Sequence, residues 1–198
     1  MRRGAAARTL RIIGGTWRGR KLRFADGAGI RPTPDRVRET LFNWLGARVA
    51  GARCLDLFAG SGALGLEALS RGAAHVTFVE QAARPARELA LRLVEWQAQG
   101  GRVTRADALR FLAGSAEAYD VVFLDPPFDS DLLTRAAALI EARGWLAPGA
   151  LVYAEAPARG KLPALPALPA QWRLLKAKQA GEVGYYLLAH AGATPDMT

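Results

Sequence analysis

A parallel β-sheet covered by helices on both faces is the fold this sequence predicts, on three observations. From Ala52 onward, short apolar runs alternate with amphipathic stretches of helical length. The first of these runs leads directly into a glycine turn, Gly60-Ser61-Gly62. The last two runs meet across Gly181 with no helical stretch between them, which calls for an antiparallel pair closing an otherwise parallel sheet.

Taken in order, residues 9–24 alternate in polarity. Leu10 and Ile12 flank Arg11, Leu22 and Phe24 interleave with Lys21 and Arg23, and Gly14-Gly15 and Gly19 lie between the arms. The spacing predicts a hairpin with one basic face. A loop rich in Gly and Pro spans 25–34, and Asp35 opens a helix carrying Val37, Leu41, Trp44 and Leu45 at helical spacing, with Gly46 near its end. Strands are predicted at 53–57, 75–80, 102–105, 120–125 and 150–155, and helices at 64–70, 83–97, 107–112 and 131–143. A proline-rich loop at 160–169 precedes two final strands, 172–178 and 183–189. The organisation is a basic hairpin extension over 1–30, an α/β domain over 31–192 with seven strands of which the last is reversed, and a frayed tail over 193–198.

Bulk properties narrow the function classes. At 198 residues and 51% hydrophobic content the chain can bury a full core, which excludes a disordered protein. The single cysteine, Cys54, cannot form an internal disulfide and sits in an apolar strand, as expected of a protein kept reduced in the cytoplasm. No apolar run reaches membrane-spanning length, and two histidines with one cysteine make a zinc-type site an unpromising reading. Charge is the sharper signal. Residues 1–31 hold nine Arg or Lys against one acid, a net of +8 out of the chain's +9. A localised excess of that size, with Trp17 among alternating strand residues, points to a polyanion such as nucleic acid. Arg11, Trp17, Arg18, Arg20, Lys21 and Arg23 are the candidate contacts.

The glycine turn is the candidate cofactor end. Gly60-Ser61-Gly62-Ala63-Leu64-Gly65 satisfies G-x-G-x-x-G, a pattern that also marks nicotinamide and flavin binders. Asp56 precedes it on the strand in Asp56-Leu57-Phe58-Ala59-Gly60-Ser61-Gly62, which resembles the Asp-x-Phe-x-Gly-x-Gly form of S-adenosylmethionine-dependent methyltransferases. A carboxylate there would repel a pyrophosphate but suits a cationic methionine moiety. Glu80, ending the next strand, can accept hydrogen bonds from both hydroxyls of a ribose. Asp107 and Ala108 follow the third strand, where that family reads the adenine ring. Asp107 serves equally well as a helix N-cap, and the two roles are compatible.

The chemistry end is Asp125-Pro126-Pro127-Phe128, after the fourth strand. A conjugated exocyclic amine is a poor nucleophile because its lone pair is delocalised into the ring. Accepting both of its N–H groups aims the lone pair at an electrophile. Asp125 offers a carboxylate and Pro126 a carbonyl, the consecutive prolines remove competing donors and stiffen the loop, and Phe128 offers a face for stacking. The plainer alternative is that Pro126-Pro127 ends a strand and Asp125 is a turn acid.

Further segments make the resemblance specific. Arg11-Ile12-Ile13-Gly14-Gly15-Thr16-Trp17-Arg18-Gly19-Arg20-Lys21-Leu22, the run Arg31-Pro32-Thr33-Pro34-Asp35-Arg36-Val37-Arg38-Glu39-Thr40-Leu41-Phe42-Asn43, residues 54–69 and Ala180-Gly181-Glu182-Val183-Gly184-Tyr185 resemble the bacterial 16S rRNA (guanine-N2) methyltransferases of the small-subunit methyltransferase D type. The likeness runs in order over residues 10–189. It implies the class I, Rossmann-like methyltransferase fold, S-adenosylmethionine as cofactor and 16S rRNA in an assembled or nearly assembled small subunit as partner. The chain is expected to act as a monomer, and its composition calls for neither metal nor membrane. Arg31, Thr33, Asp56, Phe58, Ala59, Gly60, Gly62, Glu80, Asp107 and Ala108 are then expected at the cofactor, and Asp125, Pro126 and Phe128 at the base. The resemblance also puts Arg36 close to the cofactor or target pocket; the plainer reading of Arg36, Arg38 and Glu39 is a solvated helix face with ordinary ion pairs. Adenine-N6 methylation, a nicotinamide oxidoreductase and a non-catalytic RNA-binding factor are the competing readings. The oxidoreductase leaves Asp56 and the Asp-Pro-Pro-Phe run unexplained.

Overall fold

The computed structural model describes residues 7–25, 33–128, 130–158 and 167–191. Five strands run parallel: β3 (Arg53–Asp56), β4 (His75–Glu80), β5 (Gly101–Arg105), β6 (Tyr119–Leu124) and β7 (Leu146–Pro157). They join β8 (Trp172–Ala180) and β9 (Val183–His190) in one seven-stranded sheet of order β5-β4-β3-β6-β7-β9-β8. The last strand, β9, is antiparallel to both of its neighbours, so the expected reversal is observed. β7 begins four residues before the predicted strand because its first segment already pairs with β6, through a register shift between Tyr119 and Val121.

Helices cover both faces. Helices α1 (Asp35–Leu45), α2 (Ala63–Ser70) and α3 (Ala83–Glu95) bury Leu41, Leu66 and Leu89 against one face. Helices α4 (Ala108–Leu112) and α5 (Leu132–Arg143) bury Leu112 and Ile140 against the other. β3 is apolar at Cys54 and Leu55 on successive, opposite-facing positions because it is covered from both sides. Cys54 is fully buried, and desolvation pushes its thiol up to about 12, which makes it inert packing. Helix α3 stops at Glu95, short of the predicted 97, because Gln97 takes a left-handed φ of 51° that ends the helical path.

The basic hairpin is present as β1 (Ala7–Arg11) and β2 (Lys21–Ala25), with Leu10 opposite Leu22 and Arg11 opposite Lys21. Its polarity alternates as predicted: Arg11, Lys21 and Arg23 are exposed, while Ile12 and Leu22 join the core formed with α1 and α2. The connecting turn is seated on α2. Glu67, fully buried, accepts from Ile13 N–H and Gly14 N–H, both at 2.8 Å. Ser70 carbonyl accepts from Thr16 N–H at 2.8 Å, and Ser70 Oγ accepts from Trp17 N–H at 2.9 Å while donating to Gly14 carbonyl at 2.6 Å. Gly15 is required there: its φ is 74°, and a Cβ would overlap the Ser70 carbonyl. Arg38 corrects the expectation of a solvated helix face. It is fully buried, donating to Arg11 carbonyl and to Asp35 at 2.7 Å each, and lies 3.5 Å from Glu67. Arg71 pairs with the other Glu67 oxygen at 2.7 Å.

Candidate active site

Strand order reverses between β3 and β6, and the carboxyl ends of the flanking strands open a crevice at such a point. The sequence-predicted acids collect on that edge. Asp56 ends β3, Glu80 ends β4, Asp107 follows β5 and Asp125 follows β6.

The glycine turn between β3 and α2 is held by main-chain bonds from Leu57 N–H to Phe123 carbonyl at 3.2 Å and from Ala59 N–H to Val79 carbonyl at 3.0 Å. Gly60 and Gly62 have φ of 51° and 77°, and a Cβ on Gly62 would stand 2.5 Å from Leu89 Cδ1. Gly65, on the first turn of α2, lets the helix lie against the ring of Phe78 on β4, which any Cβ there would overlap. Asp56 faces inward. It is 3% exposed, and its Oδ2 accepts from Gly65 N–H at 3.0 Å. Burial pushes its carboxyl up to about 7, with the Glu80 charge adding to the rise and the Gly65 bond opposing it. The folded chain therefore keeps a proton on Asp56 that the unfolded chain has lost. This contribution to stability is complete below about pH 3.9 and disappears as pH rises through about 7. Asp56→Asn removes that slope, and thermal unfolding measured between pH 4 and pH 8 reads the difference.

Glu80 is half-buried, and its two oxygens accept from Gly60 N–H at 2.8 Å and Ala82 N–H at 2.6 Å. Each oxygen keeps a second lone pair. Asp107 is the N-cap of α4, its Oδ1 accepting from Arg110 N–H at 3.0 Å, as anticipated for one of its two roles. Ala108 is buried as the first residue of that helix, and Ala59 is buried beside the half-buried Phe58. Arg31 lies outside the described residues.

At the other side of the crevice, Asp125 Oδ2 accepts from Thr33 Oγ at 3.1 Å, so the segment before α1 reaches the end of β6. Desolvation holds the Asp125 carboxyl well above the usual carboxylate range, with the Glu155 charge adding to it and the Thr33 bond opposing. Pro126 is buried, Pro127 exposed and Phe128 half-buried, and Ser130 Oγ donates to Pro127 carbonyl at 2.6 Å, which closes the loop on itself. Glu155 and Tyr153 on β7 were not among the predicted site residues. An acid inside Leu151-Val152-Tyr153-Ala154-Glu155-Ala156 is the signal that could have found them, since apolar strands rarely carry a charge without a reason.

The hairpin candidates divide into two groups. Arg11, Arg18, Arg20, Lys21 and Arg23 are exposed. Trp17 is half-buried and packs edge-on against Trp96 at 5.3 Å, while the Arg20 guanidinium lies 5.3 Å from the centroid of the same Trp96 ring. Trp17 therefore anchors the turn, and the basic side chains form the outward surface. Among the described residues no group of three or more His, Cys, Asp or Glu side chains is placed to hold a metal ion, and no helix is long and apolar enough to cross a membrane.

The family model described as Conserved hypothetical protein 95 matches residues 10–189. The chain belongs to that family. It is similar to the Ribosomal RNA small subunit methyltransferase D of Escherichia coli K12, 49% identical over 178 residues that make up 90% of this chain and 88% of the relative. The protein of the same name from Haemophilus influenzae is 44% identical over 182 residues, covering 90% and 92%. Among solved structures, Escherichia coli yhhF superimposes with a TM-score of 0.86 at 48% identity, over 93% of this chain and 99% of that one. The family resemblance read from the sequence is borne out, and so is the class I, Rossmann-like methyltransferase fold.

Proposed function

We propose that this member of the Conserved hypothetical protein 95 family transfers a methyl group from S-adenosylmethionine to the exocyclic N2 of one guanine in 16S rRNA. Its substrate is the assembled or nearly assembled small subunit, and it acts as a monomer. The observation that carries the reading is the placement of Asp125 and Pro126 at the end of β6, across the strand-order reversal from the glycine turn. The names of the relatives, small-subunit rRNA methyltransferases, support the substrate class.

The residues present fit S-adenosylmethionine. The left-handed Gly60 and Gly62 bring bare backbone to the crevice, and Glu80 presents a carboxylate already oriented by two main-chain donors. Asp107 uses only one oxygen for its N-cap bond, which leaves the other for an adenine amino group, with Ala108 beside it. Thr33 reaches the crevice from the Asp125 side, where its hydroxyl donates to that carboxylate. When bound, the cofactor supplies an electrophilic methyl group.

The chain's own residues then do the positioning. The Asp125 carboxylate and the Pro126 carbonyl accept the two N–H groups of the base, Phe128 stacks on its face, and the stiff Pro126-Pro127 pair holds both acceptors in register. Bringing a stacked base into this crevice costs about a few kcal/mol. The exposed Arg11, Arg18, Arg20, Lys21 and Arg23 supply phosphate contacts to offset it.

Labelled S-adenosylmethionine incubated with unmodified small subunits and with naked 16S rRNA, followed by nucleoside mass spectrometry, tests the whole reading. Label in N2-methylguanosine, stronger on subunits, is the expected result. Label in N6-methyladenosine overturns the target, and no label with cofactor bound overturns the activity. Replacing Lys21 and Arg23 with alanine is expected to flatten the plot of log affinity against log salt by about 0.7 to 0.9 for each phosphate that is no longer neutralised. Filter binding across a salt series measures it, and an unchanged slope removes the hairpin from the RNA interface.

A further inference from the structure

Glu155 stands in a place where a carboxylate is costly. It is 4% exposed on β7 between Ala154 and Ala156, which are 0% and 5% exposed. Tyr153, two residues back and on the same face of the strand, donates its hydroxyl to Glu155 Oε1 at 2.6 Å, a short hydrogen bond inside the core. Neither side chain lies on the exposed surface, and neither has a part in forming the sheet ladder. Their position relative to β6 explains them better. Leu124 pairs with Ala154 in the parallel register, so the next step along both strands sets Asp125 beside Glu155.

We infer that Glu155, oriented by Tyr153, is a positioning residue that makes Asp125 the acceptor of the proton released by the methylated amine. This rests on the proposed role of Asp125. As the amine nitrogen forms its bond to the methyl carbon, the carbon–sulfur bond breaks and sulfur keeps that electron pair. The nitrogen then carries a positive charge, and its N–H proton passes to an Asp125 oxygen and later to solvent. That proton is strongly acidic, so a carboxylate takes it readily, and a more basic Asp125 also accepts the amine N–H more strongly while the new bond forms. Like charge close by in a desolvated crevice raises the basicity of Asp125.

The groups facing Asp125 come from every neighbouring element: Thr33 before α1, Asp56 on β3 and Glu155 on β7. Tyr153 and Tyr185, the latter opposite Glu155 on β9, stand behind Glu155. Thr33 favours the ionised carboxylate, whereas both acids favour the proton, and the Glu155 effect exceeds that of Asp56.

Glu155→Gln keeps the shape and deletes the charge. Single-turnover methyl transfer to unmodified small subunits, measured from pH 5 to pH 9, is expected to show an acid limb in the parent protein. In Glu155→Gln the limb moves to lower pH by about one unit or more. Tyr153→Phe, which preserves packing, changes the limb without changing cofactor affinity and serves if Glu155→Gln does not fold. A rate lowered at every pH with the limb in place means a structural role and overturns the inference, as does a parent profile with no acid limb. Asp125→Asn separates the two readings. If it is inactive while Glu155→Gln leaves the limb unmoved, only the Glu155 inference fails; if it is fully active, the role of Asp125 itself fails.

Discussion

Asp125→Ala is expected to slow methyl transfer by about 10²- to 10⁴-fold, the range associated with a positioned acid–base group. The loss should fall on the chemical step. Cofactor affinity, which the proposed site assigns to the glycine turn and Glu80 on the far side of the crevice, should stay within about twofold by equilibrium binding. Stability should move the opposite way. Asp125 is desolvated beside Glu155 and Asp56, so its ionised form opposes folding near neutral pH, and removing it relieves like-charge repulsion. A variant that is nearly inactive yet melts at or above the parent temperature would mark Asp125 as a group retained for chemistry. A variant that keeps full activity would remove it from the site.

The second large effect is expected far from the crevice. Glu67→Ala deletes the acceptor for Ile13 N–H and Gly14 N–H and leaves the fully buried Arg38 without its Glu67 partner. Breaking a buried, hydrogen-bonded ion network by removing one partner costs about 3–5 kcal/mol. For a chain of this size that corresponds to a melting temperature lower by about 10 °C or more. The hairpin should loosen first, so trypsin should cut at Arg18, Arg20 or Lys21 before it cuts the sheet. Melting curves and timed proteolysis together check this. If residues 7–25 resist cleavage as in the parent, Glu67 does not seat the hairpin. Glu67→Gln retains one acceptor and should show an intermediate loss.

Much of this architecture was legible because it rests on local rules. Alternation at 9–24, the glycines after β3 and the apolar runs at 75–80 and 120–125 each specify their element within a residue or two. Asp107 as an N-cap was legible for the same reason, since one side chain and one helix start decide it. Long-range pairing was less accessible. Arg38 reads as a surface residue between Val37 and Glu39, and only the docking of Arg11 and Glu67 around it explains its burial. Trp17 reads as an aromatic among basic residues, and Trp96, far along the chain, takes its edge. Glu155 is the clearest instance. Its importance depends on the β6–β7 register and on Tyr153, neither of which a linear spacing encodes.

The way the hairpin is fastened has a thermodynamic consequence. Its turn is tied to Glu67 and Ser70, and its apolar side is continuous with the core, so the hairpin backbone is ordered as the domain folds. A basic arm that ordered only on its target would subtract that ordering entropy from the affinity. On the proposed RNA interface the basic side chains act from a fixed platform, and association is expected to show the modest heat-capacity change of a rigid surface meeting phosphates. If the hairpin grips RNA as proposed, selectivity is expected to derive from shape: an RNA whose phosphates do not match the spacing from this arm to the crevice cannot draw the arm toward it.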